Sequence, residues 1–375
     1  MRTVPVLQAV PDSIVNLADH EAHARARLDD NAWAYFAGGA ADEISLTANR
    51  KAWDGLALWP RVLRPLAGGH TRVQLLGREL ACPLLVAPMA YQCMAHADGE
   101  LATAHAAAAL GAGLVLSTQA SLPLEQVADA MRSSAGHGPL WFQLYLQHDR
   151  GFTRQLIARA EAAGYEALVL TVDAPANGAR DRERRAHFRL PPGISAVNLQ
   201  GMAMAPAVAP GSSALFDSLL RSAPTWEDVA WLQEQTCLPV LLKGVLHPQD
   251  ALQAARLGVG GLIVSNHGGR TLDTVPATAT ALRQVSRVLQ AQGHGLPLLV
   301  DGGIRRGTDV LKAMALGASA VLVGRPVVWG LVNAGAAGVA HVLRLLRDEL
   351  EIAMALSGCA RLADAGPQLL QAQED

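Results

Sequence analysis

Leu262-Ile263-Val264-Ser265-Asn266-His267-Gly268-Gly269-Arg270 is the stretch on which the reading of this 375-residue chain turns. Three apolar residues, two of them β-branched, make a short strand that stops at a polar loop. The loop holds a hydroxyl, an amide, a histidine, two glycines and an arginine. A base, a pliable backbone and a fixed cation at one strand end suit removal of a proton from a substrate held by its carboxylate. A single strand-end histidine is more often a structural hydrogen bonder, so the weight falls on the neighbouring strands.

Working outward, the same pattern recurs. Short runs apolar on both faces are expected at 84–88, 114–117, 140–145, 167–173, 239–244, 261–266, 297–303 and 320–325, as buried parallel strands should be. Helical segments fill the intervals. One runs from Pro248 to a stop at Gly258, and another from Thr308 to a stop at Gly317. Eight such units predict an α/β fold, a TIM (β/α)8 barrel, with the whole of 1–375 as one domain. Within it, 1–82 is expected to be a helical segment including 19–36, 83–340 the barrel, and 341–375 a long amphipathic helix and tail. The connection from Pro175 to Thr225, after the fourth strand, is unusually long and is read as a lid over the barrel mouth.

The composition bounds the function. Charged residues make up 17%, the net charge is -2 and no basic run is present, so no nucleic-acid partner is expected. The positive charge is 28 Arg against three Lys: Lys51, Lys243 and Lys312. A lysine inside an apolar strand, as at 243, is therefore unusual. The four cysteines share no metal or redox spacing, so no metal is expected and all read as buried small hydrophobes in a reducing compartment. Met1-Arg2-Thr3-Val4-Pro5 lacks the apolar core of a signal peptide, which points to the cytoplasm. The uncharged stretch 190–216 carries four prolines and three glycines, which a spanning helix would seldom hold, so it is read as a mobile loop rather than a membrane contact.

In barrels of this type the chemistry sits at the C-terminal strand ends. Here those ends carry Ser117, Gln143 and Tyr145, Thr171 and Asp173, Lys243, Ser265 and His267, Asp301, and Arg325. Buried polar groups are costly unless paired, so this many imply one polar site holding something large. Asp301-Gly302-Gly303-Ile304-Arg305-Arg306-Gly307 and Gly324-Arg325-Pro326 follow the last two strands, where such barrels bind phosphate. With a phosphate there, Gln143, Thr171 and Ser265 suit the polar edge of a flavin ring, and Lys243 suits the negative charge of its reduced form. The other reading of Lys243 is an ion pair with a carboxylate on a neighbouring strand.

These residues, together with Trp141-Phe142-Gln143-Leu144-Tyr145, Leu170-Thr171-Val172-Asp173 and Leu242-Lys243-Gly244, resemble the FMN-dependent L-2-hydroxy acid oxidase and dehydrogenase family. That family includes glycolate oxidase, lactate oxidase and mandelate dehydrogenase. The resemblance runs from about Tyr35 to Cys359. It implies oxidation of an L-2-hydroxy acid to the 2-keto acid, with FMN as cofactor and O2 as the expected acceptor giving H2O2. The alternative is a lactate or mandelate dehydrogenase passing electrons to quinone or cytochrome. By position, the resemblance implies His267 as base, Asp173 as the partner that raises its basicity, and Arg180 and Arg270 on the substrate carboxylate. Tyr35 and Tyr145 would bind the carboxylate and hydroxyl. FMN would contact Pro88, Met89, Ala90, Ser117, Gln143, Thr171, Lys243, Ser265, Asp301, Gly302, Gly303, Arg305, Gly324 and Arg325. A homo-oligomer, a tetramer, is also implied. Met89 and Gln119 depart from plant glycolate oxidases, Gly38 stands where many members carry Ser, and Tyr91 adds a bulky group; these count against glycolate, while Ala90 is the residue that oxidases of the family often carry.

Overall fold

Eight parallel strands close on themselves in the computed structural model, which describes residues 8–203, 213, 215–216, 220 and 223–371. They are β3 (Leu84–Val86), β4 (Gly113–Ser117), β5 (Leu140–Leu144), β6 (Ala167–Thr171), β7 (Val240–Val245), β8 (Gly261–Val264), β9 (Leu298–Val300) and β10 (Ala320–Val323). β10 returns to pair with β3, so the sheet has no edge. All eight expected strands are present, each ending within a few residues of its expected bound, and the fold is the TIM barrel.

The barrel is filled rather than hollow. Leu85, Val115, Trp141, Val169, Leu241, Ile263, Leu299 and Leu322 point inward and are almost wholly buried. Their opposite faces, with Leu84, Phe142, Leu168, Leu242 and Val300 among them, pack on the surrounding helices. A Trp141→Ala change would leave a cavity costing about 3–5 kcal/mol.

The N-terminal segment holds α1 (Leu17–Arg27), α2 (Asp30–Ala37) and α3 (Ile44–Asp54). The single helical run expected over 19–36 is broken at Leu28–Asp29, because the Asp29 side chain caps α2 by accepting from Ala32 N–H. The segment is also not wholly helical. A hairpin of β1 (Val73–Leu75) and β2 (Arg78–Leu80) turns at Gly77, and its Leu75 and Leu80 join the inward-facing cluster of the barrel.

The helices that follow the strands are α4 (Gly99–Ala109), α5 (Leu124–Arg132), α6 (Arg150–Ala162), α8 (Trp226–Glu234), α9 (Pro248–Arg256), α10 (Thr278–Ala291), α11 (Gly307–Ala315) and α12 (Arg325–Ser357), with α7 (Asp181–Arg185) inside the long connection. α12 carries non-helical residues at Ala334 and Gly335, where Gly330 and Gly338 approach across a bend. The long final helix expected from His341 is thus the later part of an element that begins at Arg325. By length and mean hydropathy α12 could span a membrane, but 78% of its apolar window is buried against the rest of the molecule, as in a core helix. Residues 190–203 of the uncharged stretch are described and the rest lie largely outside the described residues, as does the extreme N-terminus. The cysteines are free, but only Cys82 and Cys359 are buried. Cys237 lies exposed in the short turn between α8 and β7, and Cys93 is intermediate.

Candidate active site

Parallel register brings the polar strand ends to one level. Ser117 stands beside Gln143 and Thr171 beside Lys243. Ser117 Oγ donates to Gln143 Oε1 at 3.2 Å, and Gln143 Nε2 donates to Thr171 Oγ1 at 3.0 Å. Lys243 Nζ donates to Ser265 Oγ at 3.0 Å and lies 3.2 Å from Asp301 Oδ2. Lys243 thus pairs with a carboxylate at the end of a neighbouring strand, one of the two sequence readings, and it also lines the cavity. Burial pulls its ammonium down, but Asp301, Asp173 and Tyr145 outweigh burial and leave it above its usual range.

The loop after β8 delivers the base. His267, Gly268 and Gly269 all take left-handed backbone, with φ of 56°, 64° and 74°. Histidine tolerates that region better than most residues, and the turn aims its ring at the cavity. Asp173 Oδ1 lies 2.9 Å from His267 Nδ1, which leaves Nε2 for a substrate. Asp173 reaches that place because the next strand gives way. β7 carries a bulge between Lys243 and Val245, and at its centre Gly244 has φ of 111°. A Cβ there would sit 2.4 Å from the Asp173 carboxyl carbon.

The resemblance implied that Asp173 raises the basicity of His267. It does, but burial lowers the imidazole more, Lys243 and Arg270 add to that, and His267 ends below its ordinary value. Burial alone would raise Asp173, but His267 and Lys243 outweigh it and hold the carboxylate below its usual range. The pair is therefore a neutral imidazole on an ionised carboxylate at neutral pH.

The two arginines line the same cavity. Arg270 donates through Nη1 to the carbonyls of Tyr35 and Gly38, and its guanidinium lies 5.0 Å over the Tyr35 ring. Arg180, just before α7, reaches the same space from the long connection. Its Nε is buried without a partner. Glu183 Oε1 accepts from both, at 3.2 Å from Arg180 Nη1 and 3.2 Å from Arg270 Nη2. Tyr35 stacks on Phe188 at 4.9 Å. Burial pushes the Tyr35 hydroxyl up to about 12 and raises Tyr145 as well, so both remain proton donors.

The loops after β9 and β10 give the same cavity a wall suited to an anion. Gly302 and Gly303 take φ of 85° and 92°, and Arg305 and Arg325 are desolvated guanidiniums. Burial, then Arg270 and Arg305, bring Arg325 down to about 9. Neither Arg305 nor Arg325 meets a carboxylate in an ion pair among the described residues. Arg325 donates instead to the carbonyls of Phe36, Gly268 and Gly38, and Arg305 to that of Ile304. Two desolvated cations with no carboxylate ion pair among the described residues fit a phosphate, and the unpartnered Asp301 Oδ1 fits a polar group of a cofactor.

One cavity of about 600 Å³ is lined by Tyr35, Pro88, Met89, Ala90, Ser117, Gln143, Tyr145, Thr171, Arg180, Lys243, His267, Arg270, Asp301, Gly302, Gly303, Arg305, Gly324 and Arg325. Two expected site residues stand behind the wall. Asp173 orients His267, and Ser265 is fully buried, its hydroxyl accepting from Lys243 and from His267 N–H. Leu190 and Leu199 of the long connection also line the cavity.

The sequence did not single out Glu183 or α3. Asn49 on α3 exchanges two hydrogen bonds with Asn266, at 2.8 and 2.9 Å. Trp53 Nε1 donates to Gly302 O, and Arg50 binds Gly303 O and Asp309. Asp273, two residues past Thr271, accepts from Ile44 and Ser45 N–H and fixes the start of α3.

A model of the FMN-dependent dehydrogenase family matches residues 24–372. An L-lactate oxidase of Nostoc sp. is 47% identical over 362 residues, covering 96% of this chain and 98% of that one. Glycolate oxidase 1 of Zea mays is 46% identical over 354 residues, covering 94% of each. Among solved structures, a mandelate oxidase with benzoyl-formic acid superposes with a TM-score of 0.85 at 42% identity, covering 96% of this chain and 98% of that one.

Proposed function

The chain belongs to the FMN-dependent dehydrogenase family, and from that premise we propose how its residues divide the oxidation of an L-2-hydroxy acid to the 2-keto acid. The activity is that of an FMN-dependent 2-hydroxy acid oxidase with O2 as acceptor. When bound, FMN would supply the acceptor for the substrate's α-hydrogen and its electron pair, with oxygen taking up the two electrons as hydrogen peroxide.

The observation that carries the assignment is that His267, held by Asp173, lines one cavity together with Arg180 and Arg270. Arg180 and Arg270 bind the substrate carboxylate, with the Tyr35 hydroxyl donating to it. Tyr145 donates to the substrate hydroxyl. His267 Nε2 takes the hydroxyl proton while Asp173 holds the tautomer and stabilises the imidazolium. The substrate's side chain rests against Tyr91, Phe188 and Leu190. Gln143, Thr171 and Ser117 hold the polar edge of FMN, with Lys243 as the cation beside it and Asp301, Pro88, Met89 and Ala90 around it. Gly302, Gly303, Arg305, Gly324 and Arg325 hold its phosphate. Ser265 serves from behind by fixing Lys243 and the His267 backbone.

Oxygen consumption with lactate, mandelate and longer (S)-2-hydroxy acids tests the reading against the matching 2-hydroxy amides. Turnover of acids with little turnover of amides is expected. Equal turnover of both would remove the arginines from carboxylate recognition. Faster turnover with a quinone analogue than with oxygen would make the enzyme a dehydrogenase.

Self-association and a cytoplasmic location belong to the same proposal. Trp59, Val62 and Leu63 are exposed, Leu63 fully so, and Arg61 N–H donates to Ser357 O, which sets them near the exposed Leu356 of α12. An apolar patch of that kind suits a second copy of the chain. Leu63→Asp is expected to lower the mass measured by light scattering. The four free cysteines are in keeping with a reducing compartment.

A further inference from the structure

Glu183 meets both carboxylate-binding arginines with one oxygen, and no other carboxylate pairs with either among the described residues. It stands in α7, and its side chain is 15% exposed. Two guanidiniums and one carboxylate leave the clamp with one net positive charge. Burial and the nearby Arg180 already hold Arg270 below its ordinary value, so the clamp is both desolvated and electrostatically crowded. Glu183 relieves that crowding, and one incoming carboxylate neutralises what remains. With Arg305 and Arg325 given to the cofactor phosphate, a second carboxylate on the same substrate would enter a poorly solvated space where Glu183 repels it. On its outer side Glu183 is, among the described residues, the one acidic residue lining a second cleft, beside Arg180, Arg184 and Arg189, so the repulsion it exerts acts at the clamp itself and not on the approach.

We propose that Glu183 is a specificity-determining residue that restricts this site to 2-hydroxy monocarboxylates and turns away 2-hydroxy dicarboxylates. The inference rests on the reading of Arg180 and Arg270 as the carboxylate clamp. It goes beyond that reading by assigning a charge limit to the substrate, set by an anion the protein supplies itself. Glutamine in place of Glu183 keeps the shape and one accepting oxygen, but leaves the clamp with two positive charges.

The test uses FMN-loaded enzyme and two readouts. The first is kcat/KM for (S)-malate relative to (S)-lactate. The second, which needs no turnover, is the ratio of dissociation constants for malonate and propionate, read from the perturbation of the flavin absorbance. Glu183→Gln is expected to shift both ratios toward the dianion by at least about tenfold, equivalent to about 1.4 kcal/mol, while Glu183→Asp keeps them near wild type. A residue that only props the arginines would weaken mono- and dianions alike and leave the ratios unchanged. Ratios within twofold of wild type in Glu183→Gln would overturn the proposal. Failure of every 2-hydroxy acid to reduce the wild-type flavin would instead overturn the underlying reading, and the two failures are thereby distinguished.

Discussion

Replacing Asp173 by Asn isolates the electrostatic support of the base, because the side chain keeps its size and loses its charge. The carboxylate lies 2.9 Å from His267 Nδ1. At an effective dielectric near 20, unit charges at that distance interact by about 6 kcal/mol, which caps the effect on the imidazole at about 4 pKa units. Solvent and relaxation reduce this, and the loss expected in flavin reduction is about 10²–10⁴-fold, the usual range for general-base assistance. The pH profile carries a second signature. His267 acts unprotonated and lies below its ordinary value, so wild-type kcat/KM should climb along an acid limb below pH 6.5 and then level off. Asp173 pulls the imidazole upward against burial, so Asp173→Asn should move that limb to still lower pH while the plateau falls. The assay is anaerobic stopped-flow reduction across pH 4.5–8, with FMN content checked by absorbance. Reduction within about threefold of wild type, with an unmoved limb, would refute the role given to this pair.

Three other outcomes follow from named contacts. Lys243→Met should lower the flavin reduction potential, because a buried cation that lines the cavity is lost; an unchanged potential with full FMN content would place Lys243 away from the reduced ring. Gly244→Ala should slow flavin reduction although residue 244 lies off the cavity wall, since its Cβ would displace Asp173; a wild-type rate would show that the bulge does not position the carboxylate. His20 is fully buried against His341 and Asn333, and burial together with His341 and His23 brings it down to about 4. The unfolded chain then binds the extra proton between pH 6.5 and 4, so this histidine's contribution is present above 6.5 and is lost as the pH falls through that window. The shift is worth roughly 3 kcal/mol, and the thermal midpoint should fall more steeply between pH 7 and 5 in wild type than in His20→Gln.

The barrel was legible because fully buried parallel strands leave a strong signal, and all eight announce themselves by apolar runs that end in polar loops. The hairpin at Val73–Leu80 was not legible, since strands of three residues show no periodicity and only their docking under the barrel gives them a core. The division of α1 from α2 turned on one side-chain cap at Asp29. Most of the site could be read because its residues stand at strand ends. Ser265 differs in depth, since alternation along a short strand does not reveal which polar group is consumed by its neighbours. Glu183 was hidden in a run of alternating charges that reads as an ordinary solvated helix face, and only the fold shows it between Arg180 and Arg270. Asn49, Arg50 and Trp53 lie some two hundred residues and more from the loops they brace, beyond the reach of any local pattern.

The central claim is that this one cavity binds FMN, holds an (S)-2-hydroxy acid by its carboxylate and returns the electrons to oxygen. It is tested most directly by mixing the purified yellow enzyme anaerobically with each enantiomer of lactate and mandelate and then admitting air. The account predicts that an (S)-acid bleaches the flavin within seconds, that His267→Gln slows bleaching by about 10²–10⁴-fold with FMN still bound, and that air restores the colour with one hydrogen peroxide per keto acid formed. A flavin that stays oxidised with every 2-hydroxy acid, or bleaches equally fast in His267→Gln, would contradict it.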